Sequence, residues 1–261
     1  MFARARHYII RLKNMSITGS KANGAGKVIL AVDTSSPEVS LAICSAGSVI
    51  ATLTIRDNRP HSQTLFSHIE TLLGLAEMKI QDVDAFAAAT GPGSFTGLRV
   101  GLAAIKGLAD SLNRPCLGVD SLDLLALASG FDGAQLVVIG AGRGEVYCGL
   151  RDLSSGDICG GPIADQVGAP SEALHVMMQY LRQAPLIITV DGRCADSPTL
   201  VKLLQMDLAS ASVPQPIFLK SFLNTSAVLA QRAVRLIEEN RLTQVAPHYI
   251  RQSDAEMKWT R

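Results

Sequence analysis

The chain of 261 residues lacks paired cysteines and long apolar runs. Its five cysteines form no Cys-x-x-Cys pair, which argues against the disulfide framework of small secreted domains. No apolar stretch approaches the roughly 20 residues that a membrane-spanning helix needs. These absences predict a reduced, cytoplasmic protein that makes no membrane contact.

The sequence also lacks an excess of one charge and any clustering of histidine. Its 24 Lys and Arg residues balance 23 Asp and Glu residues, so no global field favours nucleic acid. The five histidines form no His-x-x-x-His or Cys/His group, and we expect no metal site. The sequence contains neither a Gly-x-Ser-x-Gly elbow nor a Gly-x4-Gly-Lys-Ser/Thr phosphate loop.

Residues 1–26 differ in composition from the rest of the chain. They carry no acidic residue and five basic ones: Arg4, Arg6, Arg11, Lys13 and Lys21. A basic, acid-poor start is typical of a transit peptide, but also of a flexible tail or of a chain whose true start is Met15. We predict a flexible tail, because nothing else in the chain indicates import.

The first half alternates short strands and helices. Apolar, β-branched runs separated by turn residues predict three antiparallel strands at Val28–Val32, Val39–Cys44 and Val49–Ile55. A helix follows, with apolar residues at helical spacing from Leu65 to Ala76 and Ser62 as its N-cap. A strand, a second helix and another strand are predicted at Ala85–Ala89, Leu98–Leu112 and Cys116–Val119.

The second half repeats this order weakly. Its predicted strands are Leu136–Ile139, Glu145–Arg151, Asp157–Ile163 and Leu186–Val190, and its predicted helices are Ser171–Arg182, Thr199–Gln205 and 224–239. Two degenerate copies of a βββαβα unit predict a two-lobed α/β fold of the ribonuclease H-like type found in actin, Hsp70 and sugar kinases. We predict a first lobe at 27–128, a second, degenerate lobe at 129–223, a helix at 224–240 that packs back on the first lobe, and a tail at 241–261.

A glycine-rich loop joins the predicted strand Ala85–Ala89 to the helix that follows. Such a loop points backbone N–H groups outward at the positive end of a helix, which suits a phosphate. The candidate anion site, either functional or vestigial, consists of Asp33, Thr34, Ser35, Gly91, Gly93, Ser94, Thr96 and Gly97.

Two other interpretations of these residues stay open. Asp33 fits an ordinary Asx turn equally well, and in that role its carboxylate would not face a phosphate or its metal. The glycines could instead form a dinucleotide fingerprint with Asp120 as the ribose-binding acid, although Pro92 removes one N–H from the loop.

The helix after the loop carries a stripe of small residues that includes Gly97, Gly101 and Ala104. A glycine within a helix costs roughly 1 kcal/mol relative to alanine, so close packing is expected there. The stripe packs either on the chain's own sheet or on a partner helix. The predicted partner interface comprises His61, Leu65, Ile69, Leu72, Leu98, Arg99, Gly101, Leu102, Ile105 and Lys106.

Several stretches resemble one known family. The segments Ile29–Ser35, His61–Leu65, Gly91–Gly107 and Pro115–Leu122 are similar to hallmark segments of the TsaB (YeaZ) family. The similarity is thin beyond Leu127 and resumes at 144–147 and 247–251. The chain departs from the family's usual Asp-Ala-Arg with Gly140-Ala141-Gly142-Arg143.

The resemblance implies a non-catalytic subunit of the machinery that makes threonylcarbamoyladenosine in tRNA. Members bind and stabilise the catalytic subunit TsaD as a heterodimer and support recruitment of the ATPase TsaE; tRNA is reached indirectly, through the complex. No firmly bound cofactor is implied, and ATP or ADP at the subunit interface is the one candidate. TsaD holds its metal partly through His-x-x-x-His, where this chain has Ser121 and Leu125.

Two alternatives belong to other functional classes. One is an autonomous nucleotide-binding enzyme, kinase-like or NAD(P)-dependent, that uses the Gly91–Gly97 loop. The other is a homodimer formed in isolation through Gly101, because a surface that fits a paralogue often pairs with itself.

Overall fold

The structure is a computed structural model. It describes residues 8–10, 26–56, 58–154, 157–160, 164–170, 172, 187–191, 217–221 and 225–250, with the backbone alone at 8–10, 191 and 217–221. The predicted helices Ser171–Arg182, apart from Glu172, and Thr199–Gln205 lie outside these residues, as do 1–7, 11–25 and 251–261.

The chain divides into two compact units. The first comprises 1–119 with 224–247, and the second comprises 120–223 with 248–261. The lobe boundary predicted at residue 128 differs from this division, because the helix that begins at Ser121 groups with the second unit.

The first unit contains a six-stranded mixed sheet. Its strands are β1 (Tyr8–Ile10), β2 (Val28–Asp33), β3 (Glu38–Ser45), β4 (Ser48–Arg56), β5 (Ala85–Ala89) and β6 (Cys116–Val119). The order is β1-β4-β3-β2-β5-β6, with antiparallel pairing from β1 to β2 and parallel pairing from β2 to β6. The flexible tail predicted over residues 1–26 is therefore wrong at 8–10, where backbone groups pair with the otherwise open edge of β4.

Three helices pack on this sheet. They are α1 (His61–Leu75), α2 (Phe95–Leu112) and α4 (Thr225–Glu238); α3 (Ser121–Ser129) belongs to the second unit. A short 3-10 helix spans Ile80–Asp82. Helix α1 follows Pro60 without a side-chain cap, so the cap predicted at Ser62 is wrong. Helix α2 begins three residues before the predicted Leu98.

Each of these helices ends in the same motif. A residue with positive φ follows the last turn: Glu77 after α1, Asn113 after α2 and Asn240 after α4. At α1 the N–H of Glu77 donates to Gly74 O and that of Met78 to Leu73 O. This is the Schellman pattern, which satisfies the last carbonyl groups of a helix.

The second unit repeats the topology of the first. It contains α3 (Ser121–Ser129) and the strands β7 (Ala134–Gly142), β8 (Glu145–Asp152), β9 (Cys159–Gly160), β10 (Gln166–Gly168), β11 (Ile187–Asp191) and β12 (Ile217–Ser221). The order β10-β8-β7-β11-β12 matches β4-β3-β2-β5-β6, with a meander followed by parallel strands. This duplication confirms the α/β fold predicted from the sequence.

Two strands of the second unit differ from the prediction. Where the third strand was expected, at Asp157–Ile163, the structure has β9, and β10 follows the predicted range; both are antiparallel to β8. The strand β12 is not among the strands predicted from the sequence. Within the described part of the chain, no helix has both the length and the apolar character required to cross a bilayer.

Candidate functional site

Asp33 ends β2 in a buried turn, with 2% of its surface exposed. Its Oδ1 accepts a hydrogen bond from Ser35 N at 2.9 Å, and its Oδ2 accepts one from the hydroxyl of Thr225, at the start of α4. The first bond forms an Asx turn, the structural alternative left open by the sequence. Both carboxylate oxygens are thus committed within the first unit.

The glycine loop packs directly on this turn. Ser94 N donates to Ser35 O at 2.6 Å, and Ser94 Oγ caps α2 by accepting from Gly97 N at 3.2 Å. A Cβ atom at Gly93 would overlap Ser35 O. Two of the N–H groups expected to face an anion are therefore used to close the loop on its own chain.

The small-residue stripe of α2 packs on Thr34. The Thr34 hydroxyl donates to Gly97 O at 2.8 Å. A Cβ atom at Gly97 would overlap Thr34 O, and one at Gly101 would overlap Thr34 Oγ1. The interpretation that these two glycines face a partner helix is therefore wrong, because they provide space for the chain's own β2–β3 turn.

Most of the predicted partner interface lies in the core. Seven of its residues are buried, so they cannot form a docking surface: Leu65, Ile69, Leu72, Leu98, Gly101, Leu102 and Ile105. Helical spacing marks an apolar face without saying whether the chain's own sheet or a partner covers it. Here the sheet covers it.

The other three predicted interface residues are accessible. His61 is half-buried, and its Nε2 lies 3.0 Å from Ser36 O. Arg99 and Lys106 are exposed on α2, and the Arg99 guanidinium stacks 3.9 Å from the centre of the Phe95 ring.

Other positions of the two helices are exposed. They are Phe66, Gly74, Leu75, Ala103 and Gly107. Phe66 exposes 54% of its surface and Leu75 exposes 36%. A Cβ atom at Gly74 or Gly107 would have no heavy atom within 4 Å. An exposed aromatic side chain is the kind of residue that anchors protein–protein interfaces.

In the second unit, Asp120 fixes the start of α3. Its Oδ1 accepts from Leu122 N at 2.8 Å and from Asp123 N at 3.3 Å, as an N-cap carboxylate does. Ser121, directly after this cap, is buried, and Leu125 packs in the core of the second unit.

Next to this helix start lies a cluster of charged side chains that the sequence did not predict. We call it the Arg151 cluster; its members are Arg151, Asp120, Asp123, Asp165 and His248. The guanidinium, 6% exposed, donates to Asp165 through two nitrogens at 2.8 and 2.9 Å. It also donates to Asp123 at 2.5 Å and to Asp120 at 3.3 Å. His248 Nδ1 lies 2.6 Å from Asp120 Oδ2.

The cluster alters the ionisation of its members. Burial raises the pKa of Asp123 above its ordinary value, and the nearby Arg151 charge opposes this rise. The hydrogen bond to Asp120 raises the pKa of His248, which burial partly offsets. The carboxylates raise the pKa of Arg151 despite its burial, so it stays charged.

Three of these residues have the spacing of metal ligands. The ligand atoms of Asp120, Asp165 and His248 lie within 4.8 Å of one another. Arg151 donates to both carboxylates, so a cation at this point would have to compete with a buried guanidinium. No sequence pattern indicates this cluster, because its members come from α3, β8, the segment before β10 and the segment after α4.

Comparison with known proteins decides the family. The tRNA threonylcarbamoyladenosine biosynthesis protein TsaB of Bacillus subtilis is 30% identical over 241 residues, which cover 88% of this chain and 97% of that protein. The chain belongs to the TsaB family. The TsaB of Escherichia coli is 34% identical over 158 residues, or 59% of this chain and 67% of its own length.

A family model and a solved structure match the chain as well. The family model of TsaD, tRNA N6-adenosine threonylcarbamoyltransferase, matches residues 49–178. The solved structure of YeaZ from Pseudomonas aeruginosa superimposes with a TM-score of 0.63 at 25% identity, covering 85% of this chain and 99% of that one. The TsaB (YeaZ) resemblance drawn from the sequence is thus confirmed.

Proposed function

We propose that this chain acts in tRNA threonylcarbamoyladenosine biosynthesis as a non-catalytic subunit that binds and stabilises TsaD. The named function of the TsaB relatives supports the pathway. The observation that carries the role of a binding subunit is Phe66 of α1, an aromatic side chain that exposes 54% of its surface on the first unit.

Two residues of α3, Ser121 and Leu125, favour a non-catalytic role for this chain. The TsaD family has two histidines where this chain has Ser121 and Leu125. The Leu125 side chain is packed in the apolar core, and Ser121 is buried directly after the helix cap. Neither residue can supply the imidazole ligand that it replaces.

The glycine loop argues in the same direction. Asp33 is hydrogen-bonded through both oxygens, and the loop closes on Ser35. These contacts give Asp33 a structural role in the first unit, which favours a binding subunit over an autonomous nucleotide-binding enzyme. ATP or ADP at the interface with TsaD, and recruitment of TsaE by the complex, remain parts of the proposal that the resemblance suggests.

The binding proposal can be tested with one variant and one matched control. Phe66→Glu places a charge at this exposed aromatic position, and an anchoring aromatic of an interface contributes at least about 2 kcal/mol, or roughly 30-fold in Kd. Leu242→Glu changes another exposed apolar residue of the first unit, 64% exposed. Affinity for purified TsaD is measured by calorimetry, and threonylcarbamoyladenosine in tRNA by mass spectrometry.

We expect the wild type and Leu242→Glu to bind TsaD and to restore modification, and Phe66→Glu to lose both while staying folded. If the wild type fails to bind folded TsaD, the proposed role is wrong. If Phe66→Glu binds TsaD as well as the wild type does, the proposed role as a binding subunit is retained, but Phe66 is not part of the binding surface. Titrating ATP and ADP into the isolated chain and into the complex tests whether a nucleotide binds at the interface with TsaD.

A further inference from the structure

Two described contacts join residues 248–250 to the rest of the second unit, one between charged groups and one between apolar side chains. His248 Nδ1 lies 2.6 Å from Asp120 Oδ2. Two residues later, Ile250 packs against the core cluster that contains Leu122 and Tyr147. The imidazole is 44% exposed, so protons reach it from solvent.

The groups that face His248 carry an excess of negative charge. They are Asp120, Asp165 and Arg151, and Arg151 is shared with Asp123. One guanidinium faces three carboxylates, which leaves two negative charges unbalanced when all are ionised and His248 is neutral. A proton on His248 halves that excess at a half-buried position, where screening by water is incomplete.

The geometry and this charge balance lead to one inference. We propose that the imidazolium of His248 fastens residues 248–250 to the start of α3, and that this clasp loosens as His248 loses its proton. The inference concerns the second unit alone and does not depend on the proposed binding of TsaD.

The direction of the pH dependence follows from linkage. Because the hydrogen bond to Asp120 raises the pKa of His248 above its ordinary value of 6.5, the folded state binds this proton more tightly than the unfolded state. The stabilisation is complete below pH 6.5 and is lost as the pH rises through the pKa in the folded protein. Its size is modest, since the neutral ring can still donate one hydrogen bond to Asp120.

Solution NMR of the full chain provides two readouts on one sample. The ring protons of His248 give its pKa, with His248→Gln to assign the signal. The heteronuclear NOE of residues 249 and 250 reports local motion, and the Ile250 methyl shift reports its packing. His61→Gln is the matched control, because it removes a half-buried histidine of the first unit that contacts only a backbone oxygen among the contacts described.

We expect a His248 pKa above 6.5 and a fall in the NOE at 249 and 250 with the same midpoint. The fall should persist in His61→Gln. In His248→Gln the NOE should be constant across this range and low throughout. A His248 pKa at or below 6.5, or the same pH-dependent fall in His248→Gln, would overturn the clasp. Saturable binding of added Zn²⁺ at the His248 imidazole, with no pH effect on the NOE, would also overturn the clasp and would identify the Arg151 cluster as a metal site.

Discussion

The hydroxyl of Thr34 occupies the space into which a side chain at Gly101 would project. The same hydroxyl donates a hydrogen bond to Gly97 O, one helical turn earlier. Helix α2 can approach the β2–β3 turn this closely only because both positions lack a side chain. Gly97 and Gly101 of the family's hallmark segment therefore serve the packing of the first unit.

This contact predicts opposite effects for two glycines of the same helix. Gly101→Ala should lower the free energy of unfolding by about 1–3 kcal/mol, because the new methyl group displaces Thr34 in a packed interior. Gly107→Ala should raise it by up to about 1 kcal/mol, since the position is open and alanine favours the helix. Urea denaturation measures both. A Gly101→Ala variant of wild-type stability that loses self-association would restore the partner-facing interpretation.

Arg151 should be the most costly arginine to replace among those described. Arg151→Met leaves three carboxylates without their buried counter-charge and should lower the free energy of unfolding at pH 7 by about 3–5 kcal/mol. The loss should shrink toward pH 4, because the carboxylates relieve their repulsion by binding protons. Arg56→Met is the control: its guanidinium pairs with Glu38 at 3.8 Å and is 72% exposed, so we expect a change below about 1 kcal/mol. Equal losses for the two variants would contradict the importance of the cluster.

Glu77 is an unusual residue at the end of a helix. It adopts φ = 54° in the Schellman motif after α1, a conformation that costs a residue with a Cβ atom roughly 1–2 kcal/mol. Glu77→Gly should therefore raise the thermal midpoint, with a net gain of about 1 kcal/mol. The matched variant Asn113→Gly, at φ = 51°, should change stability by less than about 0.5 kcal/mol, because asparagine tolerates this region. A larger gain at Asn113 would contradict this explanation.

The cysteines should differ sharply in reactivity. Burial raises the pKa of Cys44 to about 11 and that of Cys148 to about 12, whereas Cys159 is exposed. At pH 8 roughly one Cys148 in ten thousand is a thiolate, so alkylation should require unfolding. A short pulse of iodoacetamide followed by peptide mass spectrometry should label Cys159 in the native chain, and Cys44 and Cys148 only in urea. Labelling of Cys148 without urea would indicate that β8 opens readily.

The strands of the first unit could be predicted from local signals. Short apolar runs, β-branched in β2 to β4, gave β2 to β6 within about two residues, because turn or polar residues bound them. The three-residue strand β1 escaped prediction, because so short a run shows no period. The third strand of the second unit was expected at Asp157–Ile163, where the structure has the two-residue β9, and β10 follows that range.

The surface was the hardest part to predict. Leu65, Leu98 and Ile105 have the spacing of an apolar helix face, and the sequence could not tell whether a partner or the chain's own sheet covers it. The exposed Phe66 follows the buried Leu65 in the sequence, and no sequence pattern marks it as a surface residue. The Arg151 cluster gave no signal either, because its acids and its arginine are far apart along the chain.

The sequence by itself determined the duplicated α/β fold and the TsaB family, because both depend on runs of neighbouring residues whose periodicity and turn chemistry are local. Only the tertiary structure decided the roles of individual side chains. It placed Gly101 against Thr34, turned Phe66 outward and gathered Asp120, Asp165 and His248 around Arg151. Such roles depend on which distant segments meet, and burial and charge balance act across that distance rather than along the chain.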